Sequence, residues 1–185
     1  MANHVARIFD EYLVASARAG DRAALGRLVH HWQPKLLAHA YRLTGDAEIA
    51  RDVVQDGWAD IVRGLPRLKE TKVFPAWAYR IVTRRAADYI RRIQRKRRTE
   101  AAFAAEPETA DTSAQNMESK AESMSLAKAI ETLSPEHAAA IALFYLEDFS
   151  VTEISIALEV PAGTVKTRLM HARKKLRAVL QGDKK

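Results

Sequence analysis

The sequence predicts an all-α protein, two small helical domains joined by a flexible acidic linker. Three observations predict it. Apolar residues recur at spacings of three and four through most of the 185 residues, and no stretch alternates at period two long enough to suggest a sheet. Towards the C-terminal end, two amphipathic segments meet at a proline-marked corner, Glu159-Val160-Pro161. Charge is also unevenly spread. Residues 1–98 hold 20 basic and 10 acidic side chains, residues 99–125 one basic and six acidic, and residues 126–185 nine basic and seven acidic, for a total of +7. Two basic lobes flanking an acidic connector suggest two separate contacts with a polyanion.

In the first lobe, residues 1–98, Val5, Ile8, Phe9, Tyr12 and Leu13 form the apolar face of a first helix that ends near Gly20. Asp21 can cap the next helix, which buries Leu25, Leu28, Val29 and Trp32 and is expected to stop before Pro34. A short third helix carries Leu36, Leu37, Ala40, Tyr41 and Leu43 to the break at Thr44-Gly45-Asp46. His30, His31 and His39 fall here without acid or thiol companions at ligand spacing, so no metal site is expected.

From Ala47 to Leu65 a further helix buries Ile49, Val53, Trp58, Ile61, Val62 and Leu65. Asp52, Asp56 and Asp60 recur every four residues on its outside, with Gln55 beside the first pair. DNA would repel such a row, so it calls for solvent or a basic protein partner. Carboxylates on an exposed helix face also lack the burial that would tune them for catalysis. Gly57 in mid-helix costs up to about 1 kcal/mol and has no local explanation.

A basic loop over residues 64–73 follows, with Arg67 and Lys69. A long helix then starts at Phe74 with Pro75 in its first turn, and Trp77, Ile81, Ala87 and Ile90 face inward. Phe74, Trp77 and Tyr79 are interleaved with Arg80, Arg84, Arg85, Arg91 and Arg92, a mixture suited to single-stranded nucleic acid, where bases stack on rings and cations track phosphate. For Trp77 a plain core role remains open. Arg95-Lys96-Arg97-Arg98 closes the lobe.

Residues 99–125, rich in Ala, Glu, Ser and Thr, read as the flexible linker. The second lobe, residues 126–185, restarts at Leu126, Ile130 and Leu133, and Ser134-Pro135 opens a helix whose core run is Ile141, Leu143, Phe144 and Leu146. Ser150 and Glu153 form a capping box at the start of the next helix, which buries Val151, Ile154, Ile156 and Leu158 in part. After the corner a second helix begins near Ala162, with Val165, Leu169, Ala172 and Leu176 on one stripe. Thr167, Met170, His171 and Lys174 lie on its opposite face, with Lys166, Arg168, Arg173 and Lys175 on the shoulders. This is a helix-turn-helix whose second helix suits the major groove. The bland alternative is a solvated basic helix in a bundle.

The exclusions are broad. With no cysteine there are no disulfides or thiolate metal sites, and a reducing cytoplasm is natural. The N-terminal residues show no signal-peptide core, and the longest apolar run, Ala138 to Leu146, falls far short of the roughly 20 residues that span a bilayer. No cofactor is implied.

In this order the pieces resemble a bacterial RNA polymerase sigma factor of the sigma-70 family, extracytoplasmic-function (ECF, group IV) type. The likeness rests on Ala19-Gly20-Asp21-Arg22-Ala23-Ala24-Leu25, Asp52-Val53-Val54-Gln55-Asp56, the stretch from Trp77 to Ile81 with Asp88 to Arg92, and Pro161 to Leu169 with Ala172 to Arg177. It implies a σ2-like domain at 1–98 and a σ4-like domain at 126–185. Asp52, Gln55, Asp56 and Asp60 would then dock on the clamp helices of the largest subunit of core RNA polymerase, with the flap region a further contact. Arg67, Lys69, Phe74, Trp77, Arg80, Arg84 and Arg85 would read and melt the downstream (minus-ten) element on the non-template strand. Lys166, Thr167, Met170 and His171 would read the upstream (minus-thirty-five) duplex, with Arg168, Arg173 and Lys174 on phosphate. The linker would thread the active-centre cleft, where an acidic segment suits a channel built for a polyanion. Many members of the family are held inactive by an anti-sigma factor.

Two positions depart from the pattern. Arg84 stands where asparagine is usual, and an arginine fork favours guanine or phosphate. His171 stands where arginine is frequent. Two other readings compete on the residues themselves. A helix-turn-helix regulator acting without polymerase would need neither the acidic row nor the aromatic-basic helix. An enzyme would need a phosphate-cradling glycine loop, a thiol or a buried acid–base pair, and none is evident.

Overall fold

The computed structural model describes residues 2–103, 130 and 132–182, and every regular element among them is helical. The first lobe comprises α1 (Ala2–Arg18), α2 (Arg22–Thr44), α3 (Ala47–Gly64) and α4 (Phe74–Phe103), with two short 3-10 turns, Leu65–Arg67 and Thr71–Val73, between α3 and α4. The second comprises α5 (Pro135–Tyr145), α6 (Val151–Leu158) and α7 (Ala162–Gly182).

Local chemistry sets most of the boundaries. Asp21 caps α2 and Asp46 caps α3, each carboxylate accepting from two backbone amides of the first turn. Gly45, in the left-handed region at φ 72°, ends α2 and donates to the Tyr41 carbonyl. Pro34 does not end a helix: α2 runs through it as one 23-residue element, so the two expected helices are one. An internal proline costs about 3 kcal/mol. Trp32 and Leu36, one on either side, are both buried, and Gln33 accepts a hydrogen bond from the Trp58 indole at 2.5 Å. Tertiary burial outweighs the local penalty.

α2 packs against α1, α3 and α4, and α3 against α4. Gly57 finds its reason here, because a Cβ there would lie 3.2 Å from Val82 Cγ2 on α4. The core holds Leu13, Val14, Leu28, Leu36, Val54, Ile61, Phe74, Tyr79 and Val82, all fully or almost fully buried. Several expected faces differ. On α1 the stripe is rotated, so that Ile8, Phe9 and Tyr12 are exposed and Leu13 and Val14 are buried. Tyr41, Val62, Leu146 and Ile156 are likewise exposed. α4 extends through Thr99 to Phe103, past the expected start of the linker, while the remainder of that linker, with Leu126, lies outside the described residues.

The second lobe is built as expected around the corner. Glu153 N donates to Ser150 Oγ at 3.2 Å and Ser150 N to Glu153 Oε2 at 2.8 Å, the reciprocal bonds of the capping box. Val165, Leu169 and Ala172 of α7 are buried against α5 and α6. The two lobes lie against each other, α6 on α4 and α5 on α2. Phe149 carries the core across the seam, its ring edge-on to Tyr79 at 5.4 Å between centroids.

Candidate nucleic-acid interface

α3 and α4 build the first surface. Asp52, Gln55 and Asp56 are exposed on one face of α3 and line an open cleft of about 390 Å³ together with Arg85, Asp88, Tyr89 and Arg92 of α4. Among the described residues Asp52 and Asp56 form no ion pair. Asp60 differs, since it accepts from Arg63 at 2.5 Å and from Arg85 Nε at 2.5 Å. The row of carboxylates is therefore divided into two free members and one that clamps α4. Arg85 shares that cleft rather than standing with Arg80 and Arg84. The sequence analysis places Arg92 among the basic residues of this helix and Asp88 to Arg92 in the family-like stretch but assigns none of them to the acidic row, although the spacing of Asp88, Tyr89 and Arg92 from Arg85 puts all four on one face of α4.

The loop and the start of α4 form the second surface. Arg67 and Lys69 are exposed on a loop tied down by Arg18, whose Nη1 donates to the Leu68 carbonyl at 2.8 Å and to that of Lys69 at 3.3 Å. Arg80 and Arg84 project from α4 with substantial exposure. The two aromatic neighbours do not. Phe74 is fully buried, edge-on to Trp32 at 5.7 Å, and Tyr79 is packed between Trp32, His39 and Phe149. Burial beside Glu147 raises the Tyr79 hydroxyl well above its ordinary range. Phe74 therefore has no face to offer a base, and its interleaving with arginines reflects core periodicity on an arginine-rich helix. Trp77 is partly exposed and rests on Gly64, where a Cβ would come within 2.7 Å of its ring.

α7 presents the third surface. Lys166, Thr167, Met170, His171, Arg173 and Lys174 are all exposed, Met170 at 57%, and Arg168 is half-buried. Arg173 is oriented by the Tyr145 hydroxyl, to which its Nε donates at 3.0 Å, and by the Phe144 ring beneath its guanidinium. Thr167 Oγ1 donates back to the Gly163 carbonyl at 3.1 Å. The capping box and the Pro161 corner hold α6 and α7 in the relation a helix-turn-helix needs to seat one helix in a groove. No group of three or more metal-ligating side chains occurs among the described residues.

Models of sigma-70 region 2 and sigma-70 region 4 match residues 28–97 and 123–176, two consecutive pieces of one family that together span most of the chain. The chain is an ECF-type sigma factor of the sigma-70 family.

Its relatives agree along most of their length. It is 28% identical to the RNA polymerase sigma-H factor of Pseudomonas aeruginosa over 183 residues, 93% of this chain and 94% of that one. It is 26% identical to the ECF RNA polymerase sigma factor SigW of Bacillus subtilis over 183 residues, 91% and 95% respectively. Among solved structures it is similar to CnrH in complex with the cytosolic domain of CnrY, with a TM-score of 0.63 and 26% identity over 95% of this chain and 99% of that one. The fold is also that of the sigma factor RpoE of Bartonella quintana, solved with the anti-sigma factor NepR, at a TM-score of 0.60 and 24% identity over 86% of this chain and 98% of that one. This sigma factor thus acts in transcription initiation, and its family binds core RNA polymerase and promoter DNA and is not enzymatic in general. No helix among the described residues is long and apolar enough to cross a membrane.

Proposed function

We propose that this sigma factor docks on core RNA polymerase through Asp52, Gln55 and Asp56, directs the enzyme to specific promoters through two separate DNA-reading surfaces, and promotes opening of the duplex. The observation that carries the reading is the pair of unpaired carboxylates, Asp52 and Asp56, set on an exposed face of an otherwise strongly basic lobe. Promoter DNA would repel that face, and a protein surface rich in basic side chains would hold it. A regulator that binds duplex operators alone has no use for it.

In this reading the clamp helices of the largest subunit take the α3 ridge, and Arg85, Asp88, Tyr89 and Arg92 form the opposite wall of the docking cleft. Arg67, Lys69, Arg80 and Arg84 track the downstream element and its displaced non-template strand, with Trp77 as the aromatic group left to meet a base. Lys166, Thr167, Met170 and His171 read base edges of the upstream duplex, while Arg168, Arg173 and Lys174 hold phosphate. The flap region of the polymerase steadies the second lobe. The work is done in the cytoplasm without cofactor or chemistry, as binding energy spent on opening DNA. An anti-sigma factor is a further partner, in keeping with the complex known for the Bartonella quintana relative.

Run-off transcription with purified core polymerase tests the reading. Promoter-dependent transcripts that need both core and this chain are expected. Tight operator binding without any promoter-dependent product would overturn it in favour of a polymerase-independent regulator.

A further inference from the structure

α5 packs on α7, and each of its ends meets a side chain that α7 leaves exposed. At its C-terminal end the Tyr145 hydroxyl accepts from Arg173 Nε at 3.0 Å. At its start His137 stands edge-on to His171, with ring centroids 6.0 Å apart and planes inclined at 69°. His137 is itself held in place. Ser134 occupies the N-cap position of α5, where a serine hydroxyl ordinarily accepts from an amide of the first turn. Ser134 makes no such bond, and its Oγ lies instead 2.8 Å from His137 Nδ1. Whichever atom donates, that bond fixes the plane of the His137 ring. The helix forgoes its cap and the ring gains a tether.

The residue that this tethered ring faces is the one that needs a brace. An arginine at position 171 would present a planar fork of parallel donors and so align itself on a base edge. An imidazole meets a base edge through one ring nitrogen, so its discrimination depends on the direction in which the ring is held. An exposed side chain on a helix exchanges among several staggered rotamers. A neighbouring ring of fixed plane selects among them, and the edge-to-face arrangement seen here is one that aromatic pairs favour. Selecting the orientation before DNA arrives removes an ordering cost from binding.

We propose that His137 is a positioning residue for base readout. The Ser134–His137 pair holds the His171 imidazole in one orientation on the exposed face of α7, and preference at one base pair of the upstream element depends on that orientation. The proposal rests on the reading of His171 as a base contact. His137 acts through His171 and makes no base contact of its own. Specificity of the helix-turn-helix is then a property of two helices: the reader is carried on α7, and its aim is set from the start of α5.

The test starts from a duplex that core polymerase loaded with the wild-type chain selects from a pool randomised over the upstream region. That duplex and the set of its single-base-pair variants are titrated with holoenzymes carrying wild type, His171→Ala, His137→Ala, Ser134→Ala and the double variant His137→Ala with His171→Ala. His171→Ala should flatten the preference at one base pair. His137→Ala should reduce preference at that same base pair by about fivefold, the factor of a single hydrogen bond, and leave the other positions unchanged. The double variant should lose no more than His171→Ala alone, because both residues act on one contact. Ser134→Ala keeps the ring but frees it, and should shift the preference in the same direction. It removes no capping bond, so the start of α5 is left as it is. Full preference in His137→Ala, with His171→Ala flattened, would overturn the positioning role and leave base reading by His171 standing. An equal loss on every duplex, or additive losses in the double variant, would overturn it too, since a merely less stable lobe behaves in that way. Thermal unfolding of each free chain measures that stability separately. If His171→Ala alters preference at no base pair, the base-contact reading itself fails and the positioning role goes with it.

Discussion

Arg85 donates to Asp60 Oδ2 at 2.5 Å, joining α4 to α3 beside the two unpaired carboxylates of the same ridge. The contact divides a periodic row of acids into members with different tasks. Asp60 holds two helices at a fixed separation, and Asp52 and Asp56 remain available to a partner.

Replacing both Asp52 and Asp56 by lysine is therefore expected to abolish detectable core binding, raising Kd by about a hundredfold or more, which is about 3 kcal/mol. Duplex binding through α7 should be unchanged, since the two surfaces are on different lobes. Titration of labelled chain with core polymerase, beside a gel shift on promoter duplex, checks both arms. Retained core affinity would refute the docking assignment.

Changing Lys166 or His171 to alanine should cost about 1–3 kcal/mol of upstream-element binding if the side chain makes a good base contact, and should relax preference at a single position. Binding to a set of duplexes with one base pair altered at a time makes the distinction. A loss of equal size on every duplex would assign the residue to phosphate instead.

Gly64→Ala should destabilise the first lobe. The added Cβ would lie 2.7 Å from Trp77 Cζ2, and that ring is rigid and backed by Phe74. Overpacking of this kind costs about 1–3 kcal/mol, more than the gain of up to about 1 kcal/mol that alanine brings to a helix. Urea denaturation of the variant measures the difference, and an unchanged midpoint would show that Trp77 can move aside.

His39 makes stability depend on pH in a definite direction. It is fully buried, with Nε2 on Thr83 Oγ1 at 2.9 Å, and burial, aided by the nearby Arg42 charge, lowers its pKa from 6.5 to about 3. The unfolded chain therefore takes up a proton that the folded chain refuses. Above pH 6.5 the group costs nothing, and as pH falls from 6.5 towards 3 stability drops, by at most about 1.4 kcal/mol per pH unit. His39→Gln, which keeps a polar partner for Thr83, should flatten that slope when unfolding free energies are compared at about pH 7 and pH 5. An undiminished slope in the variant would place the titration elsewhere.

Much of this protein was legible in order along the chain because the deciding interactions are local. The capping box joins residues three apart, the aspartate caps of α2 and α3 bond amides two and three positions on, and the buried stripe of α7 repeats every three or four residues. Such patterns are visible in sequence because they need no distant partner. The exposed face of α7 and the free carboxylates of α3 follow from the same periodicity, because the face opposite a buried stripe is the one left to bind.

What the chain order hid depends on residues far apart. Whether Phe74 stacks on a base or packs on Trp32 is decided by α2, 42 residues away. Pro34 lies inside a helix because burial on both sides offsets its local penalty, and Gly57 and Gly64 are explained only by Val82 and Trp77 across the packing. The sequence by itself determined helical class, lobe composition and the two signed surfaces, since composition and period are properties of single elements. Only the tertiary structure decided which carboxylate is paired, which aromatic is buried and that His137 stands against His171. Each of those is a contest between solvent and a specific neighbour, and the neighbour is brought into range only by folding.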